Sequence, residues 1–324
     1  MDKLIRQALS EGKLTIAGGG PAEAYKPWAA GFERQYPGVT VQVQGGFSKA
    51  LVADIDRQLE TGDPTIDVAI LQTLQDFERW KAAGALRKTD IPAAERLAPS
   101  RRDDDGRYVP IAVYGLSYAY DPRQVAFGQV PRSATGFADP RWRGRVISTY
   151  PHEDDVTLYL YSLLVERHGW SFIEQLLANS PQFVNGHLGV AQAIAAGRSA
   201  LSFDHIIGLG AADQQAGRLA IAIPPEDPMP VWAQSAAILE GSPSPTAAEL
   251  FLRWLLEPDQ QRAISQRGAW SPRLDIAPPP GVAPLTELNI ADGFLAFITD
   301  GAAAQAYRDR FAALIGPVTG PDVR

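Results

Sequence analysis

With 324 residues, 45% of them hydrophobic and 21% charged, the chain has an ordinary globular composition and enough length for one large domain or two smaller ones. Its net charge of −7, with no basic block, argues against a nucleic-acid partner. The lack of any cysteine excludes disulfides, thiolate nucleophiles and Cys-ligated metals.

The chain begins Met1-Asp2-Lys3 and runs directly into the amphipathic LIRQALSEG, without the apolar segment of an export leader. Either the protein stays in the cytoplasm, or a leader was removed and a start Met added. No apolar run nears the roughly 20 residues of a membrane span. Residues 13–20, KLTIAGGG, read as a strand entering a glycine turn. Tyr25, Trp28, Phe32 and Tyr36 recur at helical spacing as far as the stop at Pro37-Gly38. VTVQVQGG (39–46) alternates as a strand with one polar face. SKALVADIDRQLETG (48–62) predicts a helix with Ser48 as its N-cap, apolar Leu51, Val52, Ile55 and Leu59, and Gly62 as its stop. DVAILQ (67–72) reads as a buried strand and TLQDFERWKAAGAL (73–86) as the next helix. This β-α-β-α-β order predicts an open sheet with helices on both faces.

RRDDDGR (101–107) reads as a solvated surface turn. YVPIAVYGLSYAYD (108–121) is too long for one ordinary strand and suits a strand that leaves one lobe and enters another. DPRWRGRVISTYP, DVTLYLYSLLVERHGW and SFIEQLLANS then resume the strand–helix alternation. VWAQSAAILEGSP (231–243) is a second long strand able to carry the chain back. TAAELFLRWLLEPDQQRAISQRG is an amphipathic helix pair, and the Pro-rich 277–284 precedes a C-terminal helical segment. Within NGHLGVAQAIAAGRSALSFDH (185–205), Asn185 or Gly186 opens a helix that Gly197 ends. Ala200 to Phe203 form a short strand that ends at Asp204 and His205.

In this order, several of these segments resemble the type-2 solute-binding proteins of ABC importers, and most nearly the ferric-iron, phosphosugar and phosphonate receptors. LTIAGGG with FERQYPGVTVQVQGG resembles the first strand, helix and second strand of that family. YGLSYAYD resembles its crossover strand, FADPRWRGRV a turn of its second lobe, and SAAILEGSPSPTAAELFLRWLLEPDQQ its return strand and following helix. The resemblance covers residues 13 to about 270. It implies an α/β, two-lobed fold, each lobe an open mixed sheet flanked by helices, with two crossover strands between them. Lobe one would hold 1–113 and 234–285, lobe two 114–233, with the helices of 286–324 packed on lobe two. It also implies a monomeric periplasmic receptor whose leader is absent from this chain, delivering a small polar solute, anionic or zwitterionic, to a membrane permease, with no cofactor.

On that fold the solute would meet Gly19, Gly20, Ser48, Gln72 and Thr73 from lobe one and Tyr114 from a crossover strand. Lobe two would add Tyr150, His152, Asp155, Asn185, His187, Asp204 and His205. Each has a plainer role: the glycines can simply turn, Ser48 and the acids Asp154 and Asp155 can cap helices, Lys49 can be solvated and Tyr114 can be core. Glu153 to Asp155 oppose a phosphate at their turn and would favour a solute that also bears a cationic or hydroxyl group. Ferric receptors of the family carry adjacent tyrosines where this chain has Asp204-His205. A metal receptor using His152, His187, Asp204 and His205 is the alternative. An enzyme is another, although no G-x-S-x-G, P-loop, H-E-x-x-H or G-x-G-x-x-G follows a strand here. If His205 completes the solute contact, His205→Ala weakens binding roughly ten- to a hundred-fold and leaves the fold intact.

Overall fold

A computed structural model describes residues 1–98 and 102–319. Arg101 of the charged turn and residues 320–324 of the C-terminal segment lie outside them. Helix α1 (Asp2–Glu11) leads into β1 (Lys13–Gly19), α2 (Lys26–Gln35) and β2 (Thr40–Gly46). Then come α3 (Ser48–Thr61), closed by left-handed Gly62, β3 (Val68–Leu71) and α4 (Leu74–Ala82). The long β4 (Val109–Tyr120) crosses to β5 (Ile147–Thr149), α5 (Asp155–His168), α6 (Trp170–Ala178), β6 (Gln182–Val184), α7 (His187–Ala195) and β7 (Leu201–Ile206). After α8 (Ala211–Gln215) and β8 (Ala220–Ala222), β9 (Met229–Ile238) returns to α9 (Pro245–Leu255) and α10 (Pro258–Ser265). The chain finishes with β10 (Ile290–Ala291), α11 (Phe294–Thr299) and α12 (Gly301–Ile315). No helix among the described residues is long and apolar enough to cross a membrane.

The main sheet runs β2-β1-β3-β9-β4-β7, with β10 on β9 and β8 on β4. β1 is parallel to β2 and β3, as strands joined by helices must be, whereas β9 is antiparallel to β3 and β4. The first half of β4 pairs with β9 and its second half with β7 and β8, so one twelve-residue strand serves both halves of the molecule. β5 and β6 form a separate parallel pair in the second half.

One apolar core lies under α2 and α9, where Phe32, Phe251 and Trp254 meet Ile16 and Val68. A second runs continuously from Phe77 and Trp80 of α4, through Phe294 and Ile298 of α11, to Tyr161 of α5 and Phe311 of α12. Of the C-terminal helices, α12 packs on α5 and α11 touches both α4 and α5, so this segment lies against both halves.

The structure changes two readings of local sequence. The turn at 102–107 is not merely solvated. Asp103 is buried, accepts from Lys81 at 2.6 Å and from the Arg107 amide at 2.6 Å, and so anchors the turn to α4. The glycines near the ends of β1 and β2 are required by close approach. A Cβ on Gly18 would sit 2.5 Å from the Tyr25 ring, and one on Gly45 only 2.3 Å from the Ala22 nitrogen. Because the obstacle at Gly45 is backbone, it has no rotamer to escape into. Gly45→Ala is expected to cost about 1–3 kcal/mol of stability, read from denaturant unfolding. An unchanged midpoint would show that this loop yields freely.

Candidate binding cleft

Four strand-to-helix turns come together between the two halves. They follow β2, β3, β5 and β6, all parallel strands, whose carboxyl ends are where an open α/β sheet leaves a crevice. The crevice has a volume of about 310 Å³ and is lined by Phe47, Ser48, Lys49, Gln72 and Thr73 from one side. Glu153, Asp154, Asp155, Val156, Asn185 and Gly186 line the other, and Phe294 reaches in from α11. The helices α3, α4 and α7 start here with Phe47, Thr73 and Gly186 at their N-cap positions and no side-chain cap on their first amides. Such amides are donors in search of acceptors and carry the positive end of the helix dipole. Only α5 is capped, by Asp154, which accepts from the amides of Val156 at 3.0 Å and Thr157 at 2.9 Å.

The acids on this wall are already partnered. Glu153 pairs with Lys49 across the crevice at 3.1 Å. Asp155 accepts from Gln75 across the crevice at 2.8 Å and from Arg308 of α12 at 2.5 Å. The expected pull of this turn on a cationic group is thereby blunted. Thr73 offers the opposite feature, a buried hydroxyl with no partner among the described residues.

Of the residues singled out in the sequence, Ser48, Gln72, Thr73, Asp155 and Asn185 line the crevice. Ser48 is not the N-cap of α3 but its first residue, and its hydroxyl lies 2.8 Å from where a Gly19 Cβ would be. Gln72 accepts from the Trp232 indole at 3.3 Å. Gly19 and Gly20 stand beside the crevice, holding Tyr25 and Gly46 through their backbone at 2.7 and 2.8 Å. Tyr114 lies on β4, stacked on Trp232 and donating to Gln234 at 3.3 Å; burial pushes its phenol up to about 12. The Tyr150 hydroxyl is occupied by Thr319 at 3.0 Å, and His152 is buried against the Tyr150 ring. Phe47, Lys49, Glu153, Asp154, Val156, Gly186 and Phe294 complete the lining beyond the residues singled out. Half-exposed Phe47, between two glycines and a helix start, carried a usable signal; Phe294, more than a hundred residues from the nearest other lining residue, carried none.

The largest correction concerns the stretch 185–205. Its helix begins at His187 as expected, but β7 continues to Ile206, so Asp204 and His205 are interior strand residues, both wholly buried. β4 is long enough to pair with this end of β7, Ser117 opposite His205 and Leu116 opposite Ile206, and Asp204 falls at a register shift between them and Ala119. Asp204 lies beneath the crevice wall, where Oδ2 accepts from Ser148 (2.9 Å), the Thr149 amide (2.9 Å) and the Thr149 hydroxyl (2.7 Å). Its Oδ1 meets His187 Nε2 at 2.9 Å, and His187 Nδ1 lies 3.5 Å from Asp154. Burial works against the His187 charge, yet Asp204 and Asp154 outweigh it and raise the imidazole to about 9. Burial likewise opposes the Asp204 charge, and His187 with the Thr149 donors overcomes it, holding the carboxylate down at about 2. His205 goes the other way: burial, then the neighbouring charge of His187, depress it to about 4. Among the described residues no group of three or more His, Asp or Glu side chains is placed to hold a metal ion.

A mixed sheet crossed twice by shared strands, with a polar crevice at the strand ends, defines a two-lobed solute-binding protein. Residues 28–289 match the family described as bacterial extracellular solute-binding protein, and the chain belongs to that family. Among solved structures, iron-bound HitA from Pseudomonas aeruginosa is similar at a TM-score of 0.77 and 19% identity, over 92% of this chain and 99% of that one. AfuA from Actinobacillus pleuropneumoniae, bound to fructose-6-phosphate, is similar at a TM-score of 0.77 and 17% identity, over 93% and 98%. An Fe(3+)-binding periplasmic protein of Serratia marcescens is 23% identical over 175 residues, 53% of this chain and 51% of that relative, so the match spans about half its length.

The buried histidines set opposite pH slopes. Between about pH 6.5 and 4, unfolded His205 takes up a proton that the folded ring refuses, so stability falls as pH falls. Between about 6.5 and 9, folded His187 keeps a proton that the unfolded chain loses, so stability falls as pH rises. In His205→Phe the decline on the acid side should be shallower while the alkaline side is unchanged, measured by denaturant unfolding from pH 4.5 to 9. Parallel curves for the variant and the parent protein would refute a buried neutral His205.

Proposed function

We propose that the protein is the periplasmic receptor of an ABC importer, working as a monomer and without a resident cofactor. It captures a small anionic, hydroxylated solute between two lobes and presents it to its permease. Lobe one comprises residues 1–113 and 234–285, lobe two 114–233 with the C-terminal helices. One observation carries this reading. Uncapped helix starts from both lobes converge on a single 310 Å³ crevice whose acidic side chains are already paired. A ligand touching both lobes selects the closed arrangement through differential contacts alone. HitA and AfuA are similar in fold and were solved with iron and with fructose-6-phosphate; the helix starts favour an anion over a bare cation. Nothing in the crevice is assigned a catalytic role. In particular, His205, expected from the sequence to touch the solute, is given none.

Native mass spectrometry of protein purified without chelator, followed by calorimetry with fructose 6-phosphate, citrate and ferric ion, tests the reading. An anion is expected to bind, and Thr73→Val to weaken it by about 1–3 kcal/mol, roughly five- to 150-fold. A neutral or purely cationic solute, or equal affinity in Thr73→Val, would count against it. Dialysis against EDTA should leave the melting temperature unchanged; a stoichiometric metal lost together with several degrees of stability would instead make this a metal receptor.

A further inference from the structure

We infer that His187 and Asp204 are positioning residues, which together with Asp154 lock the two helix starts of lobe two into the geometry that receives the solute. The inference rests on the proposed cleft. Its ground is the way a single buried carboxylate reaches every element of that wall. Asp204, on β7, binds Ser148 and Thr149 at the end of β5, the Thr157 hydroxyl in the first turn of α5 at 3.2 Å, and His187 at the first position of α7. His187 then reaches Asp154, the residue that caps α5 and also lines the cleft. The starts of α5 and α7 are thus joined through three side chains, just beyond the β5–β6 ladder, whose last backbone bond runs from Tyr150 to Val184 at 3.3 Å. Tyr161 closes the cluster from below, donating to Ser148 at 3.1 Å.

The placement of the cation is otherwise hard to account for. An imidazolium at the first position of a helix faces the positive end of the dipole, where a charge of that sign is unfavourable. It is kept there by the two carboxylates that face it, Asp154 from the α5 cap and Asp204 from β7. His205, also on β7, faces it as a neutral ring, and Thr157 of α5 adds a hydroxyl at 3.3 Å. The imidazolium that follows Gly186 is thus held from two sides, by the α5 cap and by β7. The same charged cluster therefore sets the position of both helix starts.

The test needs no solute, so its failure is separate from failure of the proposed function. Hydrogen exchange and histidine NMR are recorded on the solute-free protein, on Asp204→Asn and on His187→Gln, the last also identifying the His187 signal. In the parent protein the His187 imidazole should remain charged past pH 8. In Asp204→Asn its titration should move towards neutral pH. Amides at 153–158 and 185–190 should exchange at least about tenfold faster in both variants, while those of α6 and of lobe one stay within about twofold. Uniform acceleration across lobe two would reduce the pair to a general support of the core and overturn the inference. So would a His187 titration near 6.5 in the parent protein, which can be read even if a variant does not fold.

Discussion

Everything in this molecule hangs on the antiparallel pairing of β4 with β9. Six register pairs, from Val109 opposite Ala236 to Gly115 opposite Val231, hold the two long strands together. Beyond that ladder each strand serves a different neighbour: β9 continues to β3 in lobe one, and β4 continues to β7 and β8 in lobe two. Both strands are buried on both faces, so a slip of one residue in this ladder would exchange the side chains packed on the two sides of the sheet in both halves at once. The irregularity between Pro110 and Ala112 is tolerated where proline has no amide to give the ladder. With the ladder fixed, the parallel strands on either side end at the same level, and their helix starts face one another across the crevice.

That arrangement gathers unsatisfied amides on two walls, and the protein treats the walls differently. Lobe one leaves α3 and α4 uncapped and supplies Lys49 and the Thr73 hydroxyl. Lobe two caps α5 with a carboxylate, then pairs that carboxylate with a buried imidazolium that a second buried carboxylate holds in place. Removing two or three charges from water costs several kcal/mol per ion unless hydrogen bonds fill the remaining valences, and here Ser148, Thr149 and Thr157 do so. A hydrophobic cluster of the same volume would hold the wall together more simply. It would not fix two helix starts relative to one another, because apolar contacts have no direction.

Much of this was legible in the sequence, for identifiable reasons. Alternation in VTVQVQGG, helical spacing from Leu51 to Leu59 and the unusual length of 108–121 depend on local periodicity, and β2, α3 and β4 follow them closely. Ser48, Gln72, Thr73, Asp155 and Asn185 could be placed at the crevice because turns after parallel strands converge whatever their side chains. What local sequence did not hold was the length of a partner. β7 runs past Phe203 because β4 offers it more edge, and that buries Asp204 and His205, which a local reading leaves at a strand end. Nor could it show which polar groups would already be spoken for. The hydroxyl of Tyr150 is taken by Thr319, 169 residues away, and Asp155 by Arg308, 153 residues away. A short sequence window contains no trace of either contact.

The overall charge of −7 gives no guide to what the crevice prefers. At physiological ionic strength exposed charges are screened beyond about 8 Å, so a distant surface excess of acids has little voice inside the cleft. The groups within a few ångströms decide, and there the acids are partnered: Glu153 by Lys49, Asp155 by Arg308, and Asp154 by His187, which it shares with Asp204. The first amides of α3, α4 and α7 have no side-chain cap among the described residues. A chain with an acidic surface can thus still offer open helix starts to a solute, provided that it partners its own carboxylates.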